Sequence, residues 1–263
     1  MKPNAHPAPT GELALIFCDV QDSKVLWDRS AAAMHDALTL YERLMGEAIA
    51  DLGCYEVKTK GDTCMVAAPD VDVALSFALT VQKRLLECPW PDAVLQQSSG
   101  AEVRGASDEL LFSGLRVRMG IHLGRPRPKP DRMTGRMNYV GGMVARTARI
   151  AQAAHGGQIL MSEAAYKAMT AREDCLFEDL GVHRLRGLRR VENLRQVLAV
   201  DHVARRFPPL RTFGLRHAAL PSHDLPFYGR EKELEAAHQQ LDLGASALVV
   251  LAAGGMGKTR FAL

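Results

Sequence analysis

At 263 residues, 47% apolar and 24% charged, the chain has the composition of a folded globular protein and room for one large domain, or one domain plus part of another. A formal net charge of +3 is too small to argue for a nucleic-acid partner, and no apolar run approaches the roughly 18 residues of a membrane span. The opening MKPNAHPAPTGE is not a signal peptide, and five scattered cysteines without metal-type spacing read as free thiols in a reducing compartment, so the expected location is cytoplasmic.

Residues 1–12 are Pro-rich and expected to be disordered. LALIFCDV (13–20) is a continuous apolar run ending in an aspartate, the pattern of a buried strand with a polar tip. Leu38, Tyr41, Leu44, Ala48 and Leu52 recur at spacings of three and four and predict an amphipathic helix over 29–52. YEVKTKGDTCMVAA (55–68) is two strand-like runs around Lys60-Gly61-Asp62, a hairpin signal. Asp70 is placed to cap a helix running to about Leu86.

Residues 88–114 read as an insertion, LRVRMGIHLG (115–124) as a strand, and the Pro- and Arg-rich 124–137 as a loop or arm. NYVGGMVARTAR opens a helix to about His155. Gly156-Gly157 stops it, ahead of a strand at 158–162, a short helix at 162–169 and final strands within 175–188 and 193–200. This β-α-β-β-α-β order with extra elements predicts an α+β fold, a central mixed sheet with helices against one face. Residues 201–226 carry four prolines and little periodicity and read as a linker. Arginines are dense over 184–216, but no recognition motif accompanies them, and nucleic acid is not an expected partner.

Two aspartates stand where the chain turns: Asp19 at a strand end and Asp62 in the hairpin. Antiparallel pairing of their strands would bring both to one edge of the sheet. Paired carboxylates of this kind hold hard cations, and Mg²⁺ needs only one or two of them plus substrate phosphates. The plainer reading of Asp62 alone is a turn residue after Gly61.

IFCDVQDSKVLWD, VKTKGDTCMVAA, LRVRMGIHLG, NYVGGMVARTARI and HGGQILMS, in that order, resemble the successive motifs of class III nucleotidyl cyclase domains. The insertion and TGRMNYVGGMV are similar in particular to the fungal adenylate cyclase subtype. The resemblance runs over about 13–200 and implies that family's ferredoxin-like α+β fold. It further implies metal ligands at Asp19 and Asp62, two Mg²⁺ or Mn²⁺ ions per site, and conversion of ATP into 3′,5′-cyclic AMP and pyrophosphate in signal transduction. The partner it implies is a second copy: in a head-to-tail homodimer, each site joins metal ligands of one subunit to base and ribose contacts of the other.

By the same resemblance, Lys58 matches the purine-reading lysine. An ammonium can only donate, which suits adenine N1 and not the protonated N1 of guanine. Asn138 stands where adenylate cyclases commonly have an aspartate accepting from the adenine amino group, and its amide oxygen keeps an acceptor. Arg149 matches the arginine that stabilises charge on the transferring phosphate, and Arg186 the place of a phosphate-contacting lysine. Arg125 is a further phosphate candidate. Arg146 points to another face of its helix and is expected at the surface or a dimer contact.

Three positions depart from the family pattern. Ala145 replaces an asparagine that orients the ribose, at i, i+4 from Arg149; Asn138 replaces the aspartate; and QDSK after Asp19 brings Asp22 and Lys24 into the phosphate loop. Loss of one preorganised donor typically costs roughly 10²–10³ in turnover. These departures support a second reading, a catalytically silent homologue that binds nucleotide or dimerises to regulate an attached ATPase.

ALVVLAAGGMGKTRFAL (247–263) resembles a P-loop, with Gly254, Gly255 and Gly257 to cradle phosphates, Lys258 to reach them and Thr259 to hold Mg²⁺. With the GRExEL-like lead-in at 229–234, residues 227–263 are expected to be the truncated start of a signal-transduction ATPase whose remaining C-terminal region is missing.

Overall fold

Alternation along β1 (Leu13–Val20) sets the layers of the first unit, residues 1–215. Ala14, Ile16, Cys18 and Val20 enter one apolar cluster, while Leu13 and Leu15 enter another on the opposite face. Both faces of this strand are therefore covered, which is why its sequence is apolar without a break. The computed structural model describes residues 5–132, 134–214, 229–242, 248–253, 256–257 and 261.

After β1 the chain forms α1 (Ser23–Arg29), a helix the apolar periodicity does not announce, then α2 (Ala31–Asp51), capped by Ser30. β2 (Tyr55–Lys60) and β3 (Thr63–Ala68) make the expected hairpin. α3 (Val71–Glu87) begins where the Asp70 carboxylate accepts from Val73 N at 2.8 Å, as its position predicts. The 88–114 segment folds as α4 (Asp92–Leu95) and a small ladder of β4 (Val103–Arg104) with β5 (Leu110–Phe112), apart from the main sheet.

β6 (Val117–Gly124) follows. The arm expected at 124–137 is largely a hairpin, β7 (Arg127–Pro130) with β8 (Met137–Val140). Two prolines in β7 are tolerated because a two-stranded ladder has an outer edge that needs no N–H. Then come α5 (Gly142–Ala153), β9 (Ile159–Ser162), α6 (Glu163–Ala168), β10 (Cys175–Arg184), β11 (Glu192–Ala199) and β12 (Phe213–Gly214). The main sheet runs β12-β10-β11-β9-β6-β1-β3-β2, parallel between β6 and β9 and antiparallel at the other described pairs.

Helices cover both faces, which corrects the one-face expectation. Residues of α2, α3 and α6 pack with Ile16, whereas Ile150, Ala153 of α5 and Leu160 of β9 form a separate cluster on the other side. Gly120 makes that second layer possible. A Cβ there would lie 2.3 Å from Ala151 N and 2.9 Å from Thr147 O, so only glycine lets the helix backbone seat on the strand.

The chain does not leave this unit at residue 200. Arg205 is buried, Leu210 packs on the α5-side cluster, and β12 pairs with β10. In the second unit, residues 216–263, α7 (Glu231–Asp242) follows Arg230, which donates to Met256 O at 2.7 Å. Of the P-loop residues, Gly254, Gly255, Lys258 and Thr259 lie outside the described residues, and Gly257 has φ of +75°. No helix among the described residues is long and apolar enough to cross a membrane. All five cysteines are free, and burial pushes the Cys54 and Cys64 thiols up to about 12, so these are inert core groups at neutral pH.

Candidate active site

Asp19 sits near the end of β1, in register with Thr63 on one side and Arg118 on the other. The Thr63 hydroxyl donates to Asp19 Oδ1 at 2.8 Å, and Arg118 donates from Nε to Oδ2 at 2.7 Å, with a second contact from Nη2. Asp62 immediately precedes Thr63 in a two-residue hairpin whose first residue, Gly61, has φ of +60°. The ladder thus brings both predicted carboxylates to the same edge of the sheet.

Their chemistry suits a hard divalent cation. Among the described residues no group of three or more His, Cys, Asp or Glu is placed to hold a metal. Two carboxylate donors match the sparse protein coordination typical of Mg²⁺. Arg118 is the residue sequence reasoning missed. The β6 alternation that buries Val117, Met119 and Ile121 places Arg118 on the Asp19 face, a signal readable only once the β1–β6 register is known.

Lys58 is exposed, in register with Met65, which pairs in turn with Phe17. Directly opposed residues share a face, so Lys58 stands on the face that carries Asp19. A bulge between Glu56 and Lys58 re-aims the strand at this point. The β7–β8 hairpin docks beside it through Tyr55, whose hydroxyl accepts from Met137 N at 2.9 Å. Asn138 follows directly; its Oδ1 accepts from Tyr139 N at 2.8 Å and retains a second lone pair.

The other predicted residues are not joined to the carboxylates. Arg149 lies on the outer side of α5 and donates to Gln152 Oε1 at 2.5 Å, with Ala145 exposed one turn earlier. Arg186 is exposed in the turn after β10, toward the opposite edge of the sheet from β2. Arg125 is exposed, 3.8 Å from Glu12, at the far end of the β1–β6 ladder from Asp19. Among the described residues no hydrogen bond or ion pair links any of these arginines to Asp19 or Asp62.

Arg146, expected at the surface or a dimer contact, is partly exposed and paired within its own chain. Its Nε lies 2.9 Å from the Glu192 carboxylate, and its side chain is only 34% exposed. Below it His122 is buried, with Nδ1 2.7 Å from Ser162 Oγ; burial first, then the nearby Arg146 charge, push its pKa down to about 4. This is a neutral structural histidine. A cavity of about 810 Å³ lined by Tyr41, Thr59, Gly61 and Cys64 lies on the α2 side of the hairpin, behind the Lys58 face.

Residues 6–198 match the family model of the adenylate and guanylate cyclase catalytic domain. The chain belongs to that family. An adenylate cyclase of Mycosarcoma maydis is 45% identical over 161 residues, 61% of this chain and 6% of its own length. One from Podospora anserina is 41% identical over 156 residues, 59% of this chain and 7% of its own. The chain therefore spans only a small part of these cyclases. A solved structure of adenylate cyclases from Trypanosoma brucei in their monomeric state is similar at a TM-score of 0.69 and 30% identity, covering 80% of this chain and 100% of that one. The mixed α+β sheet with its two covered faces is thus a cyclase catalytic-domain fold.

Proposed function

We propose that the first unit is an adenylate cyclase that converts ATP into 3′,5′-cyclic AMP and pyrophosphate at sites shared between two copies, in intracellular signalling. The carrying observation is the shared edge, with Asp19 held by Thr63 and Arg118 and Asp62 one residue from Thr63. Identity of 40–45% to fungal adenylate cyclases over that segment supports ATP as substrate.

In this reading Asp19 and Asp62 hold two Mg²⁺ or Mn²⁺ ions. When bound, such ions lower the cost of charge on the attacking 3′-oxygen and the departing pyrophosphate. On a nucleotide whose metal ions the partner copy holds, Lys58 donates to adenine N1 and Asn138 accepts from the amino group. Arg149 and Arg186, with Arg125 further out, face the phosphates of a nucleotide held by the partner copy. The new bond joins the ribose 3′-oxygen to the α-phosphorus, the bond to pyrophosphate breaks, and the hydroxyl proton leaves to solvent. The position of Arg149 on the outer side of α5, where among the described residues its hydrogen bond is to Gln152 Oε1, supports the two-copy site. Residues 227–263, with Gly254, Gly255, Gly257, Lys258 and Thr259, are read as the start of a P-loop ATPase region.

The test is residues 1–263 incubated with ATP and Mn²⁺, following cyclic AMP and pyrophosphate together. Equimolar products that fall sharply in Lys58→Glu support the reading. No product from demonstrably dimeric protein overturns it and leaves the silent-homologue reading.

A further inference from the structure

The segment after β11 lies outside the matched family region, yet it touches three parts of the proposed site. It is anchored first by Arg205, which donates from Nε to Leu111 O at 2.8 Å and from Nη1 to Gln82 Oε1 at 3.3 Å, with its guanidinium 4.8 Å over the Phe112 ring. Phe207 meets the same ring edge-on at 5.9 Å. The chain then crosses the end of α5: Pro209 O is 3.0 Å from His155 Nε2, and Arg211 N donates to Ala153 O at 3.1 Å. It finishes against β10, where Thr212 Oγ1 is 2.7 Å from His183 Nδ1, three residues before Arg186.

Gln21 is the point where this segment meets the metal edge. Its Oε1 accepts from Gly156 N at 2.7 Å and from Arg211 Nη2 at 3.0 Å, and its Nε2 donates to Asp22 at 3.0 Å. Gln21 stands two residues after Asp19, and Asp22 beside it has φ of +56°, a left-handed turn conformation that aspartate tolerates better than most non-glycine residues. One side chain therefore ties the loop after Asp19 to the C-terminal end of the Arg149 helix, and Arg211 closes that tie.

We infer that residues 203–212 form a strap that fixes the loop after Asp19 relative to α5, and that Arg211 is a positioning residue for the nucleotide site. This rests on the cyclase reading of that site. A loop ordered in advance spends less of the nucleotide's binding energy on ordering, so loosening it raises KM and leaves the chemical step largely alone.

The experiment uses residues 1–263, wild type, Arg211→Ala and Arg211→Lys, with amide hydrogen exchange in the absence of nucleotide. Arg211 is exposed, so the variants retain the core. Exchange over residues 21–25 and 154–157 is expected to rise about tenfold in Arg211→Ala, the scale of one charge-assisted hydrogen bond, with β3 unchanged and partial rescue by lysine. In turnover, KM for ATP rises by about fivefold with kcat within about twofold. Unchanged exchange over 21–25 in Arg211→Ala overturns the strap, whatever the activity. Faster exchange in protein that makes no cyclic AMP leaves the strap standing and overturns the cyclase reading instead.

Discussion

Arg118 faces Asp19 across the β1–β6 ladder, its Nε 2.7 Å from Oδ2, with the two side chains 17% and 21% exposed. At that depth the pair is screened much less than a surface salt bridge. A divalent cation arriving at Asp19 must share or displace this guanidinium. Arg118→Met is therefore expected to tighten Mn²⁺ binding to nucleotide-free protein by about tenfold, the order of one partly screened charge pair. Paramagnetic resonance titration of free Mn²⁺ reads this directly. Weaker binding in the variant would mean that Arg118 instead holds Asp19 in its metal-ready orientation.

Ala145 and Arg149 stand one turn apart on the outer side of α5. Ala145 is exposed, and its methyl offers no hydrogen-bonding group. Ala145→Asn is expected to raise cyclic AMP turnover by roughly 10²-fold or more, the worth of one preorganised donor. It should also cost about 0.5 kcal/mol in helix propensity, visible as a slightly lower melting temperature. Lower stability without faster turnover would show that the phosphate loop, not residue 145, limits the reaction.

His122 gives the fold a pH dependence of definite sign. Its folded pKa is about 4, against an ordinary value of 6.5. Between these values the unfolded chain binds a proton that the folded chain refuses, so stability falls as pH drops through this window and this contribution levels off below it. The loss is on the order of 3 kcal/mol. Urea midpoints at pH 7 and 4.5 should converge more closely in His122→Gln than in wild type; equal shifts would exclude His122 as the source.

Gly120→Ala tests how α5 is seated. The added methyl would meet the α5 backbone, not a movable side-chain tip, so the helix must lift from the sheet. A loss of about 3 kcal/mol or more is expected from denaturant unfolding. A near-neutral result would mean that α5 is not packed on β6 as described.

Much of this architecture was legible in the chain. β1, the Gly61 hairpin, the Asp70 cap and the glycine stop after α5 are local signals, and each element forms where its own residues call for it. What was not legible depends on contacts distant in sequence. Arg118 looks like any strand arginine until β6 is paired with β1, 99 residues away from Asp19. Arg146 looks outward on a helical wheel, and its pairing with Glu192 of β11 is visible only in the fold. Pro208 and Pro209 look like linker residues, and only the seating of Arg205 and Phe207 on Phe112 makes their segment part of the domain. The second face of the sheet was missed because a single glycine, Gly120, admits α5 to it.

In the proposed two-copy site, the metal carboxylates come from one copy and Arg149 from the other. Asp62→Ala and Arg149→Ala are each expected to lose nearly all cyclic AMP formation alone. Mixed in equal amounts and allowed to exchange subunits, half of the dimers carry one intact site of two, so activity should return to about a quarter of wild type. A mixture no more active than its parents, with exchange shown by a differently tagged subunit and wild type active, would contradict the account.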